Sequence, residues 1–284
     1  MTDYKKQHYL PACYLKYFSG EAKHTRKSTI WRCDEKRMCA VSVDSQCHAI
    51  YHYTKNRRVE SEQMFGEYEK LYSECVNKIK TGIPLGLKDE LTLTLLMFHL
   101  NTRNAAYRNL TEREEVDAYA ARTNALLQNL LLGRNNASQD EQLQHLERHW
   151  RLQIIRPTTG MIFITSDNPC VFLSLNPKMP SLDAAVLPLT PYHLAIAFDH
   201  RVITVPRTQA TEHEGTELDL WQVKRSTHCV YTPGMVHETQ LQWVRDEMKT
   251  RLSRGHTTES QWTLPMIRLF PERCPLFQLM PPLI

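Results

Sequence analysis

Near residue 150 the hydrophobic period of this chain changes, and that change limits the folds open to it. Before it, Met64, Phe65, Tyr68, Leu71, Tyr72, Cys75, Val76 and Ile79 fall three and four residues apart. That spacing is an apolar stripe along a helix, which Gly82 and Pro84 end. Leu91 to Tyr107 is apolar on most sides at first and reads as a central helix. Thr111-Glu-Arg-Glu114 and Ser138-Gln-Asp-Glu141 match the capping box and predict helices near 112–132 and 139–150, separated by Gly133-Arg-Asn-Asn136. After it, short β-type runs follow at 152–155, 161–164, 170–174, 186–189 and 194–198, punctuated by Pro, Asn, Asp and Gly. The gaps are too short for crossover helices, so the sheet should be largely antiparallel. Thr211-Glu-His-Glu214, a third capping box, opens a helix to about 227; another is expected near 237–252, with an extended tail from 260. At the other end, Ser28–Cys33 and Met38–Val43 read as a hairpin that either joins the sheet or packs on the helices. The expectation is one α+β domain over 1–284. It comprises an N-terminal hairpin region (1–57), a helical block (58–150), a β-meander (151–206), then helices and an extended tail (207–284).

Composition excludes several classes. Lys and Arg exceed Asp and Glu by 35 to 31, a net charge of +4. That surplus permits a nucleic-acid partner without demanding one. The 9 glycines form no GxGxxG or GxxxxGK cradle, and neither a GxSxG elbow nor an HExxH pair is present. Leu91–Leu100, the longest apolar-rich run, is about half of the roughly 20 residues a bilayer span needs. The opening Met-Thr-Asp-Tyr-Lys-Lys-Gln-His has no apolar h-region. A cytoplasmic protein without membrane association, its 8 cysteines reduced, is therefore expected. Cys33, Cys39, Cys47 and His48 lack the CxxC knuckle of a structural zinc site, and buried thiols are the simpler reading.

Some polar positions call for a reason. In Phe163-Ile-Thr-Ser-Asp-Asn-Pro169 an apolar run ends in polar turn residues and resumes at Cys170. Asp167 and Asn168 either cap their own turn or, with Ser166, stand at the mouth of the sheet as a ligand-binding loop. Gln7-His8-Tyr9-Leu10-Pro11 leads an aromatic-rich start, and His8 is either a packed histidine or a ligand. Glu62 and Glu69 are seven apart, on nearly one helix face. His99 precedes Arg103 by one turn; if buried, that guanidinium requires an acidic partner or an anion, with Glu69 and Asp167 as candidates. His145 and His149 read as surface. The basic segments Lys23–Lys27 and Lys55–Arg58 lie near Trp31, Tyr51 and Tyr53 and read as solvated loops before they read as a nucleic-acid surface.

Together these segments resemble the bacterial domain-of-unknown-function family numbered 4238. Gln7-His8-Tyr9-Leu10-Pro11 with Tyr14-Leu15-Lys16-Tyr17-Phe18 is similar to its opening, and Glu62–Glu69 to its paired-Glu helix. Asn101-Thr-Arg-Asn104 resembles its helix end, Phe163–Pro169 its TSDNP signature and Leu187-Pro-Leu-Thr-Pro191 a strand. Ala12-Cys13 and Ala105 depart from its pattern. The resemblance implies a bacterial cytoplasmic protein, and some family members occur among candidate anti-phage defence genes. It gathers His8, Glu62, Glu69, Arg103, Ser166, Asp167 and Asn168 as signature positions.

Two functions are expected from this set. In the first, Glu62, Glu69 and Asp167 hold Mg²⁺ or Mn²⁺, His8 is a general base, and Arg103 binds the scissile phosphate of a nucleic acid or nucleotide. Gln7, His99, Ser166 and Asn168 bind ligand around them. In the second, the chain is a non-catalytic sensor or interaction module, and the same residues form a structural polar network.

Overall fold

The computed structural model describes residues 6–20, 27–50, 59–103, 141–175, 182–234, 238–253 and 267–281. The helix expected at 112–132 lies outside them, as do the basic segments apart from Lys27. The α+β class holds.

A five-stranded sheet forms the centre. β5 (Trp150–Ile155), β7 (Val171–Ser174), β8 (Ala184–Thr190) and β9 (His193–Asp199) pair antiparallel, and β12 (Ile267–Arg268) joins β7 in parallel. All of β8 is buried, because both faces are covered. Ala185, Leu187, Ala195 and Ala197 face one layer; Ala184, Val186, Leu194, Ile196 and Phe198 face the other. The strand period of two divides them so.

The first layer is built from α1 (Ala12–Leu15), α2 (Val59–Thr81) and α3 (Leu87–Arg103). Tyr14, Phe18, Tyr72, Val76 and Leu93 fill the space above the alanines. The helix read from Leu91 starts earlier, where Asp89 accepts from the Gly86 N–H at 2.9 Å and pairs with Lys78 at 2.8 Å. The opposite face packs on α5 (Glu212–Arg225) through Leu218 and Trp221, and on the tail through Leu276 and Phe277. The Thr211 capping box is present, with Glu214 returning to the Thr211 N–H at 2.8 Å. α4 (Glu141–His149) leads into β5.

The hairpin does not join the central sheet; it packs on helices within a sheet of its own. β2 (Thr29–Cys33) and β3 (Met38–Ser42) belong to a second, four-stranded sheet, ordered β3, β2, β11 (Val230–Thr232) and β6 (Thr165–Ser166). α6 (Glu238–Ser253) covers it, with Val244 and Met248 packed on Cys33, Ile164 and Val230. The run at 161–164 is not a strand: only Thr165 and Ser166 pair, with Tyr231 and Val230. Two short pairs complete the fold: β1 (Lys6–His8) with β4 (His48–Ile50), and β10 (Ile203–Thr204) with β13 (Gln278–Leu279).

Candidate functional site

The segment 164–170 carries the chain from one sheet to the other: β6 belongs to the second sheet and β7 to the first. Such a crossover exposes backbone polar groups to an apolar interior, and each requires a partner. The last turns of α5 and the residues after it supply them. Asp219 accepts from the Ile164 N–H at 3.0 Å. Gln222 contacts the Ser166 hydroxyl at 3.1 Å through Oε1 and donates to the Pro169 carbonyl at 2.9 Å. Asn168 Nδ2 donates to the Arg225 carbonyl at 3.2 Å. Asp167 accepts from the Thr227 and His228 N–H groups, one per carboxylate oxygen, each at 2.8 Å.

Ser166, Asp167 and Asn168 are at most 2% exposed. They are therefore interior, not at the mouth of the sheet. Each Asp167 oxygen already accepts one charge-assisted hydrogen bond in this interior position.

The N-terminal signature docks on this junction. The Tyr14 hydroxyl donates to the Pro188 carbonyl at 2.6 Å, so the Thr165 hydroxyl, also at 2.6 Å, donates to Tyr14. Tyr72 reaches the Leu189 carbonyl at 2.9 Å. The His8 Nδ1–H donates to the Gln46 carbonyl at 3.1 Å, and the Tyr9 N–H to the Cys47 carbonyl at 2.9 Å. Burial raises the Tyr9 hydroxyl far above its ordinary pKa, with the neighbouring Cys47 and then the Asp167 carboxylate adding to the shift. Burial likewise pushes the Cys229 thiol up to about 12, and Cys47 well above its usual range. These groups are neutral at physiological pH. The Cys47 thiol lies 3.1 Å from the Tyr231 hydroxyl.

A narrow cleft of about 20 Å³ lies where α2 and α3 meet α1. Glu69 and His99 line it with Tyr14, Tyr68 and Tyr72; Asp167 and His8 do not. His99 is 2% exposed, with the Tyr68 ring edge-on at 5.0 Å. Positions 62 and 69 share a face of α2, and positions 99 and 103 share one of α3. The side chains of Gln7, Glu62 and Arg103 lie outside the described residues. The cleft thus joins two of the expected site residues, while four others are built into the interior or held at the N-terminal strand.

A guanidinium with its Nε enclosed stands at Arg225, at the end of α5. Its Nη2 meets the Asn101 Oδ1 at 3.3 Å. Burial lowers its pKa to about 10, with only Cys170 opposing. The sequence reading missed this role because Arg225 ends a helix, where a basic residue is ordinary. The available signal was Asn101, a polar residue directly after the apolar Leu95–Leu100 face.

All eight cysteines are free thiols. Cys33 packs under α6 and Cys47 in the main core, so they do not meet as zinc ligands. His145 and His149 lie with ring centroids 4.8 Å apart. Among the described residues, no group of three or more His, Cys, Asp and Glu is placed to hold a metal, and no helix is long and apolar enough to cross a membrane.

Comparison with known proteins agrees with the order of these segments. The family described as "protein of unknown function (DUF4238)" matches residues 6–233. No curated protein and no solved structure matches the chain. The matched stretch runs from β1 through the junction to β11, enclosing every signature position, and the chain belongs to the DUF4238 family.

Proposed function

We propose that this chain is a non-catalytic sensor or interaction module of the bacterial cytoplasm, in the antiviral-defence setting its family resemblance suggests. One observation carries the reading: both oxygens of the Asp167 carboxylate are engaged by backbone amides in a site 2% exposed. The signature then builds a rigid frame that presents the α2–α3 layer. The network joins residues 164–169 to α5 and to the segment that follows it. The test is to incubate purified protein with RNA, DNA and nucleotides, with and without Mg²⁺ or Mn²⁺. No turnover is expected. Cleavage that Glu69→Gln abolishes without lowering the melting temperature would refute the reading.

The cleft favours a second reading. Glu69 and His99 lining one hollow pair a carboxylate with an imidazole, the groups that acid–base chemistry on a phosphodiester or nucleotide uses. The expected Mg²⁺ or Mn²⁺ site rests on Glu62 and Glu69 alone once Asp167 is engaged elsewhere, so no step is derived through a metal. Here the Glu69→Gln result reverses: activity is lost and the melt is unchanged.

A further inference from the structure

Among the described residues, four buried side-chain atoms without a hydrogen-bond partner come from one small group: Asn101 Nδ2, Asn168 Oδ1, Arg225 Nε and Thr227 Oγ1. Their residues are joined to one another. Arg225 meets Asn101 at 3.3 Å, Asn168 bonds the Arg225 carbonyl at 3.2 Å, and Thr227 follows Arg225 by two residues. Buried polar atoms are almost always paired, and four orphans in one place call for a missing partner. The guanidinium makes the demand specific. A buried cation is stable only beside a negative group. Arg225 has an amide oxygen instead. The nearby carboxylate that could serve, Asp167, is engaged by two backbone N–H groups.

We propose that Arg225, Asn101 and Thr227 form a binding site for a phosphate group. Arginine Nε and the Asn101 amide are donors and the Thr227 hydroxyl can donate, a set that suits an anionic acceptor. A tetrahedral phosphate offers enough acceptors, and the planar guanidinium matches it. The Asn168 oxygen, an acceptor, suits a protonated phosphate oxygen or a hydroxyl on the ligand. Arg225 is partly exposed, while its Nε is enclosed. It stands at the C-terminal end of α5, beside the Asp167 turn, where a bound phosphate would tie α3 to the junction between the sheets. This names the ligand class of the sensor module and rests on that reading.

The test is calorimetry and thermal melting of the whole chain with inorganic phosphate, against chloride at matched ionic strength, and then with a nucleoside monophosphate. Phosphate should bind and raise the melting temperature. Arg225→Gln should weaken binding at least tenfold. Asn101→Asp sets a carboxylate against the guanidinium and should also abolish binding while leaving the chain folded, which covers the case where Arg225→Gln does not fold. Tighter binding of the monophosphate means the group arrives on a nucleotide; equal binding means free phosphate is the ligand, and both support the site. No heat and no stabilisation by either compound would overturn it, as would undiminished binding by Asn101→Asp. Phosphodiester cleavage by wild type together with phosphate binding lost in Asn101→Asp would keep the site and overturn the module reading.

Discussion

Replacing Asp167 by Asn keeps the shape of the side chain and removes one of its two acceptors. The wild-type carboxylate accepts from the Thr227 and His228 N–H groups at 2.8 Å each, at 2% exposure. Hydrogen bonds to a charged group contribute about 1.5–3 kcal/mol each. In the variant one amide keeps a neutral acceptor, and the other faces the new NH₂, donor against donor. The weakened bond and the orphaned buried N–H together amount to about 3–5 kcal/mol. For chains of 150–250 residues, 1 kcal/mol is worth about 2–4 °C, and this chain is longer, so the lower end applies. Melting followed by circular dichroism should therefore fall by about 6–10 °C. Urea unfolding should show the same loss in midpoint at unchanged slope. A variant melting within about 1 °C of wild type would refute the reasoning, because it would mean that the two amides are solvated without the carboxylate.

Further outcomes follow from the same contacts. Tyr14→Phe strands the Pro188 carbonyl and removes the acceptor of Thr165, and urea unfolding should show a loss of about 1–3 kcal/mol. Glu214→Ala removes both the return bond to the Thr211 N–H and the partner of the partly exposed Arg207; a loss of about 1–3 kcal/mol is expected in the same assay. Burial lowers the His193 pKa to about 4, with Arg156 and then Lys80 adding to the effect. The unfolded chain takes up the proton near pH 6.5. Stability from the neutral ring is therefore full above 6.5 and lost as pH falls toward 4, by about 1–2 kcal/mol once solvent screening is allowed for. His193→Gln should flatten that slope in melts between pH 4 and 6.5; equal slopes would contradict the assignment.

Periodicity carried the regular elements. The stripe from Met64 to Ile79 marks α2, and Thr211 and Glu214 mark the start of α5, because local spacing and capping act within a few residues. The second sheet was illegible for the opposite reason. Two of its strands, Val230–Thr232 and Thr165–Ser166, are too short to show a period, and they are held by partners far away in sequence. Ile164 looked like strand because it is apolar, yet its N–H goes to the Asp219 carboxylate. Sequence singled out Asp167 and Asn168 as exceptional but could not tell a turn bonded to α5 from an open loop, since both use the same residue types. Arg225 shows the limit from the other side. Burial alone sets it apart from any other basic residue in a last helical turn.

The central claim is that the Asp167 carboxylate serves the frame of the fold and is not available to a substrate. Hydrogen exchange at the Thr227 and His228 amides tests this most directly. Slow exchange at both in wild type, lost in Asp167→Asn while the β8 and β9 amides stay protected, is the predicted result. Fast exchange at both amides in the wild-type chain would show the carboxylate free and contradict the account.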